Sequence, residues 1–579
     1  MGDVKRQIRT SVFLILLFVT PWTFAQVEVH HNANDRKQNA CPREAEGSTL
    51  ESPRDQISRN GLLELTLNVR SSKDANGYTR YCYIDENGSQ SPTLRVQPGD
   101  NLVIHLKNEI TPDAGSSPHA GHAKAPEKRP DRCAGGEMTV SSTNLHFHGL
   151  SIPPVCHQDE TLKTLIEPGD PAFEYRVQIP RTQPPGLYWY HPHVHGFSEE
   201  HLLGGASGAI IVEGTSRVVP AVAGLPERVI IIRDEKMPEV PSDEKPDPNR
   251  PTKQLSINFI PVPYPKYPTA LIKMKPGERQ LWRVLNASAD TYLNLAVEYG
   301  GKRQPVGLVS LDGVPLRYGE PGSDMYVPDE TDIFLPPAGR AEFVITAPPE
   351  GVTGRLLTYS VFRGADEDGK PAPPPKNGQP ALRVGLDDVD PMRPLATIVS
   401  ERDAHTPTIS ESAAIRDSKQ ETAALSGVRP VRKRTLYFSE KLVDPANPKS
   451  ATLFFITEDG REPKVFDPAS EPNITVHQGD VEDWTIENRS REVHTFHVHQ
   501  LHFLVVGRRG TGWEEPSLRD TVNVGAWSGY GPYPSITVRM DFRNPQIVGT
   551  FPFHCHIMQH LDGGMMGTVR VLPAEKKPE

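Results

Sequence analysis

What this chain lacks narrows it before any motif is read. No stretch of about 20 apolar residues occurs, so no membrane anchor is expected. No Lys/Arg stripe of the kind that neutralises phosphates stands out, and the formal net charge is −10, so no nucleic-acid partner is expected. Cysteine is scarce, at five in 579 residues, whereas structural zinc sites usually draw on several. Methionine is scarce too: the ten present do not cluster beyond Met565 and Met566, which disfavours a Met-rich site for soft Cu(I).

Proline is abundant. Its 58 residues are about twice the usual share and argue against long helices, which favours turn-rich β structure. The length allows roughly three to four domains of ~150 residues. Lys5, Arg6 and Arg9 precede an apolar run from Val12 to Val19, and Ala25 precedes Gln26, so residues 1–25 read as an export signal and the mature protein as periplasmic or secreted. In that setting Cys41, Cys82, Cys133 and Cys156 are free to form disulfides. The short span between Cys133 and Cys156 favours that pair and hence Cys41 with Cys82, with four buried thiols as the alternative. Cys555 is left over. Asn87, Asn286, Asn473 and Asn488 stand in Asn-x-Ser/Thr sequons and are possible glycan sites.

Three stretches of equal length repeat one pattern: LRVQPGDNLVIHLKN from Leu94, IKMKPGERQLWRVLN from Ile272 and ITVHQGDVEDWTIEN from Ile474. Each reads as strand, turn, strand, with apolar alternation about a central Gly and a closing Asn at 108, 286 or 488. Three copies predict an all-β chain of three related Greek-key β-sandwich domains. Composition sets the expected boundaries: 61–215, 216–385, a polar linker over 386–430, and 431–573. His119 and His122, in HAGHAK, read as part of a solvated loop.

Ten of the 21 histidines fall in four clusters: HFHG (His146, His148), WYHPHVHG (His191, His193), HTFHVH (His494, His497, His499) and HCHIMQH (His554, His556, His560). Side chains at i and i+2 of a strand share a face, so each His-x-His can aim two imidazoles one way. Two clusters fall in the first domain and two in the third; the middle domain has none, which makes its role structural. One thiolate, two imidazoles and a weak thioether form a blue-copper set, here Cys555, His494, His560 and Met565. Zinc competes for the reading, but eight further convergent histidines exceed what a zinc site needs.

Through HFHG, WYHPHVHG, HTFHVHQ and HCHIMQHLDGGMM, in that order, the chain resembles the multicopper oxidases, specifically the three-domain laccase-like kind. The resemblance implies three cupredoxin domains and four copper ions. A type 1 copper would lie on His494, Cys555, His560 and Met565, a type 2 copper on His146 and His497, and a type 3 pair on His148, His191, His193, His499, His554 and His556. It further implies oxidation of a small reducing substrate coupled to reduction of O₂ to water. Phenols are the first expectation, with Fe(II) or Cu(I) as the alternative and a copper electron carrier behind both. Three positions depart from the family pattern: Thr495 stands where many members have Pro, Leu561 where several bacterial relatives have an acid, and Asp159 is the candidate for a displaced catalytic acid. His157 stands near where that acid is expected, and His195, His201 and His502 match no ligand position.

Overall fold

The computed structural model describes residues 40–112, 131–238, 247, 250–316, 329–364, 389–407, 425–447, 450–510 and 518–574. Residues 1–25, read above as an export signal, and His119 and His122 lie outside these. Among the described residues the longest helix is Ser198–Gly204, and no helix is long and apolar enough to cross a membrane.

The fold is all-β, in three cupredoxin-like sandwiches. The first joins a sheet ordered Asp55–Ile57, Thr93–Val96, Gly208–Val212, Gly186–His191, His146–His148 to one ordered Thr79–Asp85, Leu62–Lys73, Asn101–Glu109, Phe173–Gln178. Eight- and six-stranded sheets make the second sandwich, six- and five-stranded sheets the third. Strand Leu62–Lys73 alternates buried and open positions, as a strand with one face on a core must. Strand Gly208–Val212 is buried throughout, because its far face joins an apolar cluster shared by all three sandwiches, whose members include Ile211, Val229, Leu285, Met558 and Leu561.

The three repeats form one device built three times. Each carries the chain from one sheet of its sandwich across to the other: Thr93–Val96 to Asn101–Glu109, Ala270–Met274 to Arg279–Asn286, Ile474–His477 to Val481–Asn488. Gly99, Gly277 and Gly479 turn the chain at φ 88°, 70° and 106°, a region that residues with a Cβ enter at a cost. The acid after each Gly closes the turn: the carboxylates of Asp100, Glu278 and Asp480 accept from the backbone N–H groups of Gln97, Lys275 and His477 at 2.9, 2.7 and 2.9 Å. The closing Asn is buried each time. Nδ2 of Asn108 donates to the carbonyls of Ser141 and Ile166, that of Asn286 to Thr291, Leu335 and Pro336, and that of Asn488 to Glu492 and Gly525. With their amides so engaged, Asn286 and Asn488 are excluded as glycan sites.

Two sequence expectations need correction. The linker placed at 386–430 contains strand Arg393–Ser400, which pairs with Ala270–Met274 and Gly354–Thr358 inside the second sandwich. Pro394 sits beside a register shift, and that bulge is why a Pro is tolerated within the sheet. At the other end, order begins before residue 61: Leu50 lies in the second core, its N–H bonds the Leu271 carbonyl, and Asp55–Ile57 pairs in the first sandwich. The structure joins Cys41 to Cys82 and Cys133 to Cys156.

Candidate metal centres

Cys555 ends strand Gly549–Cys555, whose register with His494–Val498 sets Phe496 opposite Cys555 and His497 opposite His554. Its Sγ lies 3.6 Å from His494 Nδ1 and 3.7 Å from His560 Nδ1, and the two nitrogens are 3.1 Å apart. These three donors thus converge, all buried. Met565 is fully buried in the same core cluster, and its carbonyl accepts the Cys555 N–H at 3.1 Å. Burial alone would raise the thiol, but hydrogen bonding to His494 and His560 outweighs it and brings Cys555 down to about 6, toward the thiolate that ligates metals.

The far nitrogens of this pair are held by oxygen. His494 Nε2 lies 2.6 Å from Ser490 Oγ and 3.0 Å from Glu440 Oε1, and His560 Nε2 lies 3.2 Å from Glu492 Oε2. Such partners orient a ligating imidazole. Phe454 stacks on His560 at 4.3 Å.

The other eight histidines meet between the first and third sandwiches. Only His146 and His148 both lie within a strand; Pro192 ends the strand at His191, His499 follows Val498, and His556 begins the turn into helix Met558–Asp562. The shared-face argument therefore covers one pair strictly. Convergence holds regardless: donor atoms of His146, His148 and His191, of His146, His497 and His499, and of His193, His499 and His554 each lie within 4.8 Å of one another. His146 stacks on His499 at 3.8 Å and His148 on His497 at 3.9 Å.

Burial, with neighbouring imidazoles adding to it, holds His148, His191, His193, His497, His499, His554 and His556 well below the usual histidine range. They are neutral and keep lone pairs free. Nε2 of His146, His191 and His497 and Nδ1 of His148 and His499 are buried with no hydrogen-bond partner. Buried polar atoms are nearly always paired, so a ring of unpaired imidazole nitrogens fits metal cations. The donor set, nitrogen here and one sulfur with two nitrogens at Cys555, suits copper.

Asp159 reaches this centre. Both its oxygens lie 3.0 Å from His146 Nδ1, and Oδ1 accepts the Phe147 N–H at 2.9 Å. Leu561, at the family's acid position, packs in the apolar cluster shared by the three sandwiches. Thr495 bonds the Tyr292 hydroxyl at 2.7 Å through its own hydroxyl, and its carbonyl takes the His556 N–H at 2.7 Å. His195 packs on Phe466, His201 bonds the Val140 carbonyl, and His157 stacks on Phe173. Sequence reasoning missed Asp520, whose Oδ1 lies 3.2 Å from His148 Nε2 and whose carbonyl lies 2.8 Å from His497 Nδ1. It also missed Glu440 and Glu492, which no motif marks.

Residues 138–217 and 443–575 match family models described as multicopper oxidase, and between them hold every candidate ligand. The chain belongs to the multicopper oxidase family. This multicopper oxidase is 22% identical over 535 residues to a multicopper oxidase of Staphylococcus epidermidis, covering 87% of this chain and 91% of the relative. It is 24% identical over 500 residues to a laccase of Haloferax volcanii, covering 82% and 75%. Among solved structures, a Campylobacter jejuni multicopper oxidase described as a metallo-oxidase superposes with a TM-score of 0.60 at 22% identity, covering 93% of this chain and 97% of that one.

Proposed function

We propose that this chain is a laccase-like oxidase, exported from the cytoplasm, that takes electrons one at a time from phenols or similar aromatics and passes them to O₂. Reduction to two waters takes four electrons and four protons. One copper would be held by His494, Cys555, His560 and Met565 and three by the eight remaining histidines: a type 2 ion on His146 and His497 and a type 3 pair on the other six. When bound, copper supplies the one-electron redox chemistry at both centres. The observation that carries the reading is the run His554-Cys555-His556: one backbone segment gives its thiolate to one centre and both flanking imidazoles to the other, a covalent route between them. Glu492, about a quarter exposed and bonded to His560, is set to accept the proton that a phenol loses as its electron leaves. Asp159 is the proton-handling candidate on the oxygen side. The laccase among the relatives supports the phenolic reading.

Glu440 and Glu492 also favour a second reading. Carboxylates behind both imidazoles of the Cys555 centre would attract a divalent cation, and the Campylobacter structure is described as a metallo-oxidase. Oxygen uptake by the copper-loaded protein separates the two readings. With methoxy-substituted phenols, one O₂ consumed per four donors is expected, and Cys555→Ser should remove both the blue absorption and the uptake. Rapid Fe(II) or Cu(I) oxidation with negligible phenol turnover would install the second reading, and no uptake with any donor would leave an electron carrier.

A further inference from the structure

Among the described residues the second sandwich brings no candidate ligand to either centre, yet one of its side chains reaches the histidine centre through a single intermediary. Arg340, at the start of strand Arg340–Thr346, is fully buried. Its guanidinium grips Asp520 with both arms, Nη1 to Oδ1 at 2.7 Å and Nη2 to Oδ2 at 2.5 Å. The remaining N–H groups go to the carbonyls of Leu187, Ala338 and Asp312 at 3.3, 3.2 and 2.9 Å. All five donors of the group are thus used.

Asp520 has two tasks on its other side. Its carboxylate stands at His148 Nε2 and its carbonyl at His497 Nδ1, which leaves His148 Nδ1 and His497 Nε2, both buried and unpaired, directed at the metal position. Thr521 Oγ1 lies 3.3 Å from both His148 Nε2 and His497 Nδ1 and donates to Asp520 Oδ1 at 2.8 Å. Asp520, with Thr521 tied to it, therefore sets the tautomer and ring angle of two candidate ligands, one from the first sandwich and one from the third, that stack at 12°. The approach is close: a Cβ on Gly149, which follows His148 at φ 86°, would come within 2.6 Å of Asp520 Oδ2 and 2.8 Å of Arg340 Nη2. A single hydrogen bond would let the carboxylate swivel about it, whereas a two-armed fork fixes its plane.

We propose that Arg340 is a positioning residue for the histidine centre: the ligand-free second sandwich holds His148 and His497 in metal-binding orientation by clamping Asp520. This rests on the copper reading above. Wild-type protein lacking blue absorption, or binding one copper per chain, would defeat that reading whatever Arg340 does. Arg340→Lys keeps the charge and loses the fork. Copper per chain, the electron paramagnetic resonance of the histidine-bound copper, and blue absorption per chain are measured, with apo-protein unfolding alongside. The expected result is blue absorption within a few per cent of wild type, together with copper affinity at the histidine centre weakened by about 10–100-fold. Asp520→Asn should give the same loss, and the double variant little more, because both act on one path. Should Arg340→Lys fail to fold, Asp520→Asn alone decides the matter by the same split between the two centres. Wild-type affinity and an unchanged resonance in the variant that folds would reduce Arg340 to a bolt between sandwiches and overturn the proposal, even if the unfolding midpoint drops.

Discussion

At the scale of single residues, Asp159 is the sharpest case for separating two jobs that one carboxylate can do. It bonds His146 Nδ1 and the Phe147 backbone, which orients a candidate ligand, and under the proposed function it would also be the group that passes protons where O₂ is reduced. Asp159→Asn keeps the shape and removes the base. At full copper loading, turnover is expected to fall by about 10–100-fold with blue absorption unchanged. A loss that vanishes once copper is saturating would mean orientation alone. The imidazoles and the lone thiol were legible in the sequence because residue type and spacing mark ligand chemistry directly. Glu440, Glu492 and Asp520 were not: among 73 acidic residues nothing local singles out three whose partners lie up to several hundred positions away, as Asp520 and His148 do. Leu561 reads as a departure in sequence and as a necessity in structure, since an acid among Ile211, Leu285 and Met558 would be buried without a partner.

At the scale of elements, the repeat was readable because each of its marks has a mechanical reason. Gly turns the chain, the next acid ties the turn, and Asn binds loop carbonyls at the far end. The two kinds of mark differ in what they are worth. At Gly277, at φ 70°, an added Cβ meets nothing within 4 Å, so Gly277→Ala is expected to cost only the conformational penalty of about 1–2 kcal/mol. Asn286→Ala removes an amide whose two N–H groups are shared among three buried carbonyls and should cost about 3 kcal/mol or more. Guanidinium unfolding read at equal slope gives the order, and a Gly277 cost equal to or above that of Asn286 would contradict this division of labour. Strand Arg393–Ser400 escaped the sequence reading for the opposite reason. Its Pro and its acid- and proline-rich neighbourhood hide a short apolar alternation, and it becomes a strand only because Ala270–Met274 and Gly354–Thr358 stand on either side of it.

At the scale of the whole molecule, the sandwiches are held together by charge as well as by the shared apolar cluster. Arg95 of the first sandwich, bound by Asp55 and Glu213, reaches Glu227 of the second at 3.1 Å. Glu227 also takes Arg283 at 2.7 Å, and Arg283 bonds Glu342, whose other oxygen accepts the Leu187 N–H of the first sandwich. Buried pairs of this kind are weak evidence of net stability but strong evidence of pH sensitivity, because protonating one member leaves the others charged and unpaired. Burial would raise Glu227, but Arg283 and Arg95 overcome it and hold the carboxyl at about 2 against an ordinary 4.5. A folded value below the unfolded one stabilises the fold above about pH 4.5, and that stabilisation is lost as pH falls toward 2. The difference corresponds to about 3 kcal/mol. In Glu227→Gln the total stability should be lower, and the fall in stability between pH 4.5 and pH 2 should be shallower than in wild type by up to one proton's worth of slope. Denaturant unfolding at several pH values in that window measures both. Parallel wild-type and Glu227→Gln curves would mean that Glu227 is already protonated when the sandwiches dock, and that the arginines are balanced by Glu213, Asp55 and Glu342 alone.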